Sequence, residues 1–232
     1  MMKQLFFPTM LLMIIGGFGC TQNPQAVTSE NTNIITASDN SNNVPDTRYQ
    51  YVIIPNLSTV KWIGSKPTGT HNGIVPVAGG GLNMEGDLIK NGSIVLDMTQ
   101  LKVLDPQGDM GKSLEEHLKG TAPGKEEDFF NVGKYSTATY EITSSSKIDN
   151  DPEATTMING NLTIKDISKP VSFKARVENI EKGIIISAAP FPIDRTQFDI
   201  RFKSKKFFDN LKDDYVNDEF QIGFYVVTTK KG

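Results

Sequence analysis

Between Tyr49 and Val227 the chain alternates apolar and polar side chains in run after run. Val60 and Trp62 enclose Lys61, and Ile94, Leu96 and Met98 fall on one face with Val95, Asp97 and Thr99 on the other. Ile158, Gly160, Leu162 and Ile164 alternate with Asn159, Asn161, Thr163 and Lys165. Val171, Phe173, Ala175 and Val177 alternate with Ser172, Lys174, Arg176 and Glu178. Phe220, Ile222, Phe224 and Val226 close the series against Gln221, Gly223, Tyr225 and Val227. An extended strand turns successive side chains to opposite faces, so a period of two predicts antiparallel strands with one apolar and one wet face. About eight such strands fit this span, without the repeated long helices that parallel crossovers require.

Turn chemistry divides the runs. Lys90-Asn91-Gly92 reads as a tight hairpin, because Asn-Gly accepts positive φ. Glu181-Lys182-Gly183 joins the Val171 strand to the one running from Ile184 to Ala188, and Gly79-Gly80-Gly81 allows a bend or a close backbone approach. Met110 to Lys119 reads as a short helix, with Met110, Leu114 and Leu118 on one face and Asp109 as a capping side chain. Lys205 to Leu211 reads as a second short helix or turn, and Pro190 and Pro192 around Phe191 argue against an uninterrupted central strand. Such a chain closes as a barrel or packs as a sandwich. Alternation alone does not separate the two, but short hairpins and long Phe, Trp and Met side chains on the inner face favour the barrel.

Composition changes this picture mainly at the N-terminus. Lys3, an apolar run from Leu5 to Phe18 and then Gly19-Cys20 have the layout of an export signal. The run is too short to span a membrane as a helix, which needs about 20 apolar residues. The single cysteine of the 232 residues follows directly, where a bacterial lipoprotein is lipidated, although Gly17 stands where leucine is usual. From Thr21 to about Arg48 aromatics are absent and Asn, Ser, Thr, Pro and Asp dominate, so the segment buries too little to offset its ordering entropy and reads as a tether. The chain is thus divided into a signal over 1–19, a lipidated N-terminus and tether over 20–48, and a domain over 49–232. Attachment to a membrane through Cys20 and a periplasm-facing place in a bacterial envelope follow as expectations. One cysteine excludes a disulfide-stapled scaffold. The 24 basic against 27 acidic side chains, net −3, speak against nucleic acid as the main partner.

The segment Trp62-Ile63-Gly64-Ser65-Lys66-Pro67-Thr68-Gly69-Thr70-His71-Asn72-Gly73 resembles the opening motif of the YceI-like family, bacterial envelope proteins similar to lipocalins in architecture. The resemblance continues through Gly92 to Met98, Leu114 to Leu118, Asp128 to Tyr135 and Ala138-Thr139-Tyr140. It resumes in Gly160 to Val171, Asp194-Arg195-Thr196-Gln197-Phe198 and Val216 to Ile222. It implies an all-β fold, an elongated eight-stranded antiparallel lipocalin-like barrel with short helical segments around an apolar tunnel. It also implies non-enzymatic binding, storage or carriage of an isoprenoid lipid, polyprenyl or isoprenoid-quinone-like, with no other cofactor; a homodimer stays open. Three features depart from the family pattern: Ser136 for proline, Asp166 for glycine, and a longer insertion from Gly120 to Glu127.

Candidate binding residues follow. Trp62 points inward with Val60, as a plug or as tunnel lining, and its indole N–H needs a partner. His71 either closes a Gly69 to Gly73 turn through a hydrogen bond or meets a headgroup at the mouth, while His117 reads as solvated. Phe129 and Phe130, adjacent in an extended segment, face opposite ways, one into the barrel and one beneath the helix. Arg195 pairs with Asp194, Asp199 or a more distant acid, or else meets an anionic headgroup or stays exposed. Met98, Tyr140, Leu162, Phe173 and Phe191 belong to the inward apolar set with Phe198, Ile222 and Phe224. Val60, Leu96, Ile142, Ile164 and Phe220 complete it. No compact His, Cys, Asp or Glu spacing offers a metal three or four ligands. Two readings compete with lipid binding: a side-chain-filled barrel that binds an envelope protein, and a headgroup hydrolase, which no G-x-S-x-G elbow or domain cysteine supports.

Overall fold

The computed structural model describes residues 48–232. The expected signal, Cys20 and the tether up to residue 47 lie outside the described residues. Ten strands follow in order: β1 (Tyr51–Ile53), β2 (Thr59–Lys66), β3 (Gly69–Glu85), β4 (Leu88–Asp97), β5 (Lys102–Asp105), β6 (Thr137–Lys147), β7 (Thr156–Ile164), β8 (Ile167–Ile180), β9 (Gly183–Asp194) and β10 (Glu219–Lys230). One helix, α1 (Gly108–Lys119), and three short 3₁₀ turns, Pro55–Leu57, Met98–Gln100 and Arg195–Phe198, complete the described elements.

Eight strands form an antiparallel ring, β2-β3-β4-β6-β7-β8-β9-β10, which closes because β10 pairs with both β9 and β2. Closure leaves only one stretch of open edge in the ring, along β9 past Ser187 where β8 no longer pairs with it. β1 pairs with both β10 and β3, and β5 pairs with β3. The barrel is the expected one, and the alternating runs fall on the expected faces: Ile158, Gly160, Leu162 and Ile164 are all buried along β7.

The turns are less faithful. Asn91-Gly92 lies inside β4, and the β3–β4 hairpin turns instead at Gly86-Asp87, with Gly86 at φ 61°. Gly92 is needed for close approach: a Cβ there would lie 2.8 Å from the Gly81 carbonyl and 2.9 Å from Leu82 Cβ. Asn91 accepts a side-chain hydrogen bond from Asn83 Nδ2 at 2.8 Å across the two strands. The glycine bend holds, since the β3–β4 register shifts between Val77 and Gly79 and Gly80 sits at φ 125°. Lys165 (φ 51°) and Asp166 (φ 58°) make the β7–β8 hairpin, the double positive φ of a type I′ turn, which Asp tolerates in place of glycine.

α1 forms, but its buried stripe is rotated. Gly111, Leu114 and Leu118 face the barrel, and Met110 is 72% exposed. A Cβ at Gly111 would collide with the Pro106 carbonyl, so the helix rests there on backbone. Gln107, not Asp109, occupies the N-cap position; Asp109 sits in the first turn, where its charge complements the helix dipole. Residues 205–211 form turns and bends without a helix, bracketed by the left-handed residues Lys203, Asn210 and Lys212. β9 runs unbroken through Pro190 and Pro192, because past Ser187 it pairs with β10 and no longer with β8, leaving that side of the strand free of ladder bonds.

Packing divides the barrel into two halves. At the end remote from the β2–β3 turn, Leu82, Ile89, Ile158, Ile184, Ile186 and Val226 are almost completely buried and form a solid core. The other half is hollow.

Candidate functional site

A cavity of about 500 Å³ occupies the half of the barrel that carries the β2–β3 turn. Its barrel wall is built from the inner faces of β2, β3, β4, β6, β7 and β10, with Trp62, Leu96, Leu162 and Ile222 prominent. Leu101, Leu114 and Leu118 close one side, and Phe129, Phe130 and Phe202 arch over it from the connecting segments. Polar side chains gather at the rim, where Lys66, Thr68, Asp213 and Asn217 are exposed.

Trp62 lines the cavity along the wall. It pairs with Gly73 of β3, and a Cβ at Gly73 would come within 2.6 Å of the indole ring atoms, so the ring lies flat over the glycine. Its Nε1 is buried and has no hydrogen-bond partner among the described residues. His71 shares this wall and this condition: it lines the cavity, and its buried Nδ1 is also without a partner. The predicted turn from Gly69 to Gly73 is a strand, with His71 opposite Gly64; the chain reverses at Pro67-Thr68. A buried polar atom without a partner costs about 1–3 kcal/mol, and both nitrogens are shielded from the cavity as well as from protein partners.

Arg195 is committed to the protein. Its guanidinium, 4% exposed, donates from Nε to the Asn217 carbonyl at 3.0 Å, from Nη1 to Ile200 at 2.8 Å and from Nη2 to Val216 at 2.9 Å. Asp218, a distant acid in sequence, lies 3.5 Å away and is its ion-pair partner. Burial pulls the Arg195 pKa below its ordinary value, against the opposing charges of Asp218 and Asp194. Asp194 itself accepts from Thr196 and pairs with Lys206 at 2.7 Å, and Asp199 pairs with Arg201. Arg195 lines the cavity, yet its donors already hold the 195–200 turn to the irregular segment leading into β10.

Two expectations at the mouth are corrected. His117 is half-buried: its Nε2 lies 2.7 Å from Asp128 Oδ2, and its ring packs edge-on to Phe129 and Phe202 at 5.0 and 4.8 Å. The signal was available, because His117 is three residues past Leu114 on the same helix face. Phe129 and Phe130 lie in a turn, where the strand rule of opposite faces does not apply, and both reach the cavity. Their placement relies on the Gly120–Glu127 insertion, which leads from the left-handed helix end at Gly120 to Asp128. Met98 and Leu162 line the cavity.

Deeper in, Val60, Leu96, Leu162 and Ile222 form a floor shared with a second void of only about 50 Å³. Tyr140, Phe173, Phe191 and Phe224 surround that void and not the main cavity. Phe173 stacks on Phe191 at 4.7 Å and meets Phe224 and Tyr140 at 5.1 and 5.2 Å. Tyr140 donates its hydroxyl to the Val171 carbonyl at 2.8 Å, and burial pushes its pKa up. Phe198, 1% exposed, borders neither void and is a core residue. Among the described residues no group of three His, Cys, Asp or Glu gathers as a metal site would require.

A closed antiparallel barrel with a hollow apolar half is the architecture of a lipocalin-like container for a small apolar ligand. The chain belongs to the YceI-like domain family, which matches residues 51–228. UPF0312 proteins of Shewanella sp. (strain W3-18-1) and Shewanella putrefaciens are 36% identical to it over 61 residues, 26% of this chain and 27% of each relative. The match therefore spans about a quarter of those relatives' length. A polyisoprenoid binding domain from Saccharophagus degradans implicated in plant cell wall breakdown shares the fold with a TM-score of 0.58 at 11% identity, over 79% of this chain and 100% of that one. BcnA of Burkholderia cenocepacia does so with a TM-score of 0.58 at 17% identity, over 76% and 99%.

Proposed function

We propose that the barrel binds the hydrocarbon chain of an isoprenoid lipid in its hollow half and carries or stores it without chemical change. The observation that carries this reading is the apolar cavity of about 500 Å³, within the range of built ligand sites. With about 30 Å³ per water-sized group, it has room for on the order of 15 carbons. Burying those at about 0.8 kcal/mol per carbon gives roughly 12 kcal/mol. An association cost of at least about 4 kcal/mol leaves an affinity on the order of micromolar. Trp62 and His71 line the cavity, but Nε1 and Nδ1 themselves are shielded from it, so these side chains offer ring surface to the guest. Arg195 is not offered, since its donors are taken within the protein. The likeness to a polyisoprenoid binding domain adds support at the level of the fold.

Lipidation of Cys20 would hold this container at a membrane face of the bacterial envelope, and that anchor belongs to the same proposal. A barrel filled by its own side chains would lack the cavity, which weighs against the interaction-module reading. Native mass spectrometry tests the function directly. Full-length protein from its own host, or refolded with isoprenoid lipid, is expected to carry a one-to-one adduct. Ligand-free protein in both preparations would sink the proposal. Loss of detergent-phase partitioning in Cys20→Ser checks the anchor.

A further inference from the structure

The lipid-binding reading leaves the length of the guest unassigned, and the inner end of the cavity supplies it. Val60, Leu96, Leu162 and Ile222 face both voids, so the small one is the continuation of the large one along the barrel axis. What fills the continuation is aromatic: four rings from β6, β8, β9 and β10 meet there, with Phe173 in contact with each of the other three. Behind them stands the solid aliphatic end of the barrel. Two of the four rings are fixed from outside the lumen. Tyr140 is tied by its hydroxyl to the Val171 carbonyl and seated over Gly160, where a Cβ would lie 2.6 Å from its Cζ. Phe191 is carried by the proline-flanked half of β9, at Ile222 of β10.

We propose that Tyr140, Phe173, Phe191 and Phe224 form a length stop, so that the protein selects a short isoprenoid tail of about three units rather than a long polyprenyl chain. The void behind the floor, about 50 Å³, admits no more than one or two carbons at about 30 Å³ each. A longer chain gains nothing further inside the barrel, because its additional units stay at the mouth in water. Affinity therefore rises with length until the cavity is full and then levels off. Removing one ring of about six carbons makes room for about one more five-carbon unit, and the levelling point moves with it.

The test uses full-length protein and linear all-trans prenols of one to eight isoprene units, read by quenching of Trp62, the single tryptophan, and by native mass spectrometry. In the native protein, affinity is expected to rise at least tenfold per unit up to three units and to change less than twofold beyond. In Phe173→Ala the four-unit prenol is expected to bind about tenfold tighter than the three-unit one. Phe191→Ala, at a half-buried position, makes the same test if the first variant does not fold. Affinity in the native protein that keeps climbing past three units, or a levelling point that stays put in the folded variants, overturns the length stop. No Trp62 response and no adduct at any length would instead overturn the lipid-binding reading on which it rests.

Discussion

Replacing Arg195 with methionine separates a structural cation from a headgroup ligand. Methionine keeps most of the buried stem but removes every donor, so the Asn217, Ile200 and Val216 carbonyls, now held at 2.8–3.0 Å, lose their partner. Hydrogen bonds from a charged donor contribute roughly 1.5–3 kcal/mol each, giving a gross loss of about 4.5–9 kcal/mol. Part of that is returned, because the variant no longer has to strip water from a guanidinium. The net loss expected is about 3–5 kcal/mol, the usual range when a buried charged partner is removed. Arg195→Lys should fall between, since one ammonium cannot reach three carbonyls spread around a planar fork. Urea unfolding followed by Trp62 emission measures both by linear extrapolation. A loss under about 1 kcal/mol for Arg195→Met would refute the account, because it would mean that the three carbonyls do not depend on the guanidinium. If Arg195 served an anionic head instead, the variant would keep its stability and lose affinity for a prenyl phosphate while retaining affinity for the matching prenol.

Gly73→Ala drives a methyl into the Trp62 ring and the Lys102 backbone, neither a flexible chain end; a loss of about 1–3 kcal/mol with a shifted Trp62 emission is expected, and unchanged emission would contradict the flat seating of the ring. Burial works to raise the Asp194 pKa, but hydrogen bonds from Lys206 and Thr196 outweigh it and hold the group below its ordinary value of 3.8. A depressed carboxylate stabilises the fold above that value and ceases to as pH falls through the lower folded pKa, so native stability should decline below about pH 4. Asp194→Asn should flatten that part of the profile, and identical acid profiles would exclude the contribution. Tyr140→Phe removes the hydroxyl bound to Val171 and should cost about 1 kcal/mol in thermal or urea unfolding; no change would mean that the bond adds nothing net.

The strands were legible because inner and outer faces of a barrel have different solvents, and a period of two records that difference directly. The turns were less so. Asn91-Gly92 has hairpin chemistry, yet Gly92 serves the approach of β4 to Leu82, and both requirements select the same residue type. Met110 carried the right period with the wrong phase, since the phase of α1 is set by Gly111 resting on Pro106, a contact invisible in a hydrophobic pattern. The sequence shows that a buried Arg195 needs an acid or backbone acceptors, but which ones depends on the 216–218 segment folding back beside the 195–200 turn. His117 went the other way: its helical spacing from Leu114 announced a buried face, and residue polarity hid it.

Whether an inward ring plugs a barrel or lines it depends on what stands across the lumen at the same level. Trp62 and Tyr140 show this, because both rings lie over a glycine of the neighbouring strand, Gly73 and Gly160. At the level of Trp62 the paired residue of β10 is Ile222, and the next inner position along β2 is Gly64, so the indole lies against the wall and the lumen stays open. One step further along β10, Phe224 pairs with Val60 of β2. There Phe173 and Phe191 meet Phe224, Tyr140 joins the cluster through Phe173, and the same kind of glycine seat sits in a filled layer. Lumen width is therefore a sum over strands that lie far apart in sequence, taken one layer at a time. No single alternating run contains it. The change from an isoleucine layer to a phenylalanine layer, within two residues of β10, is what converts a tunnel into a cavity with a floor.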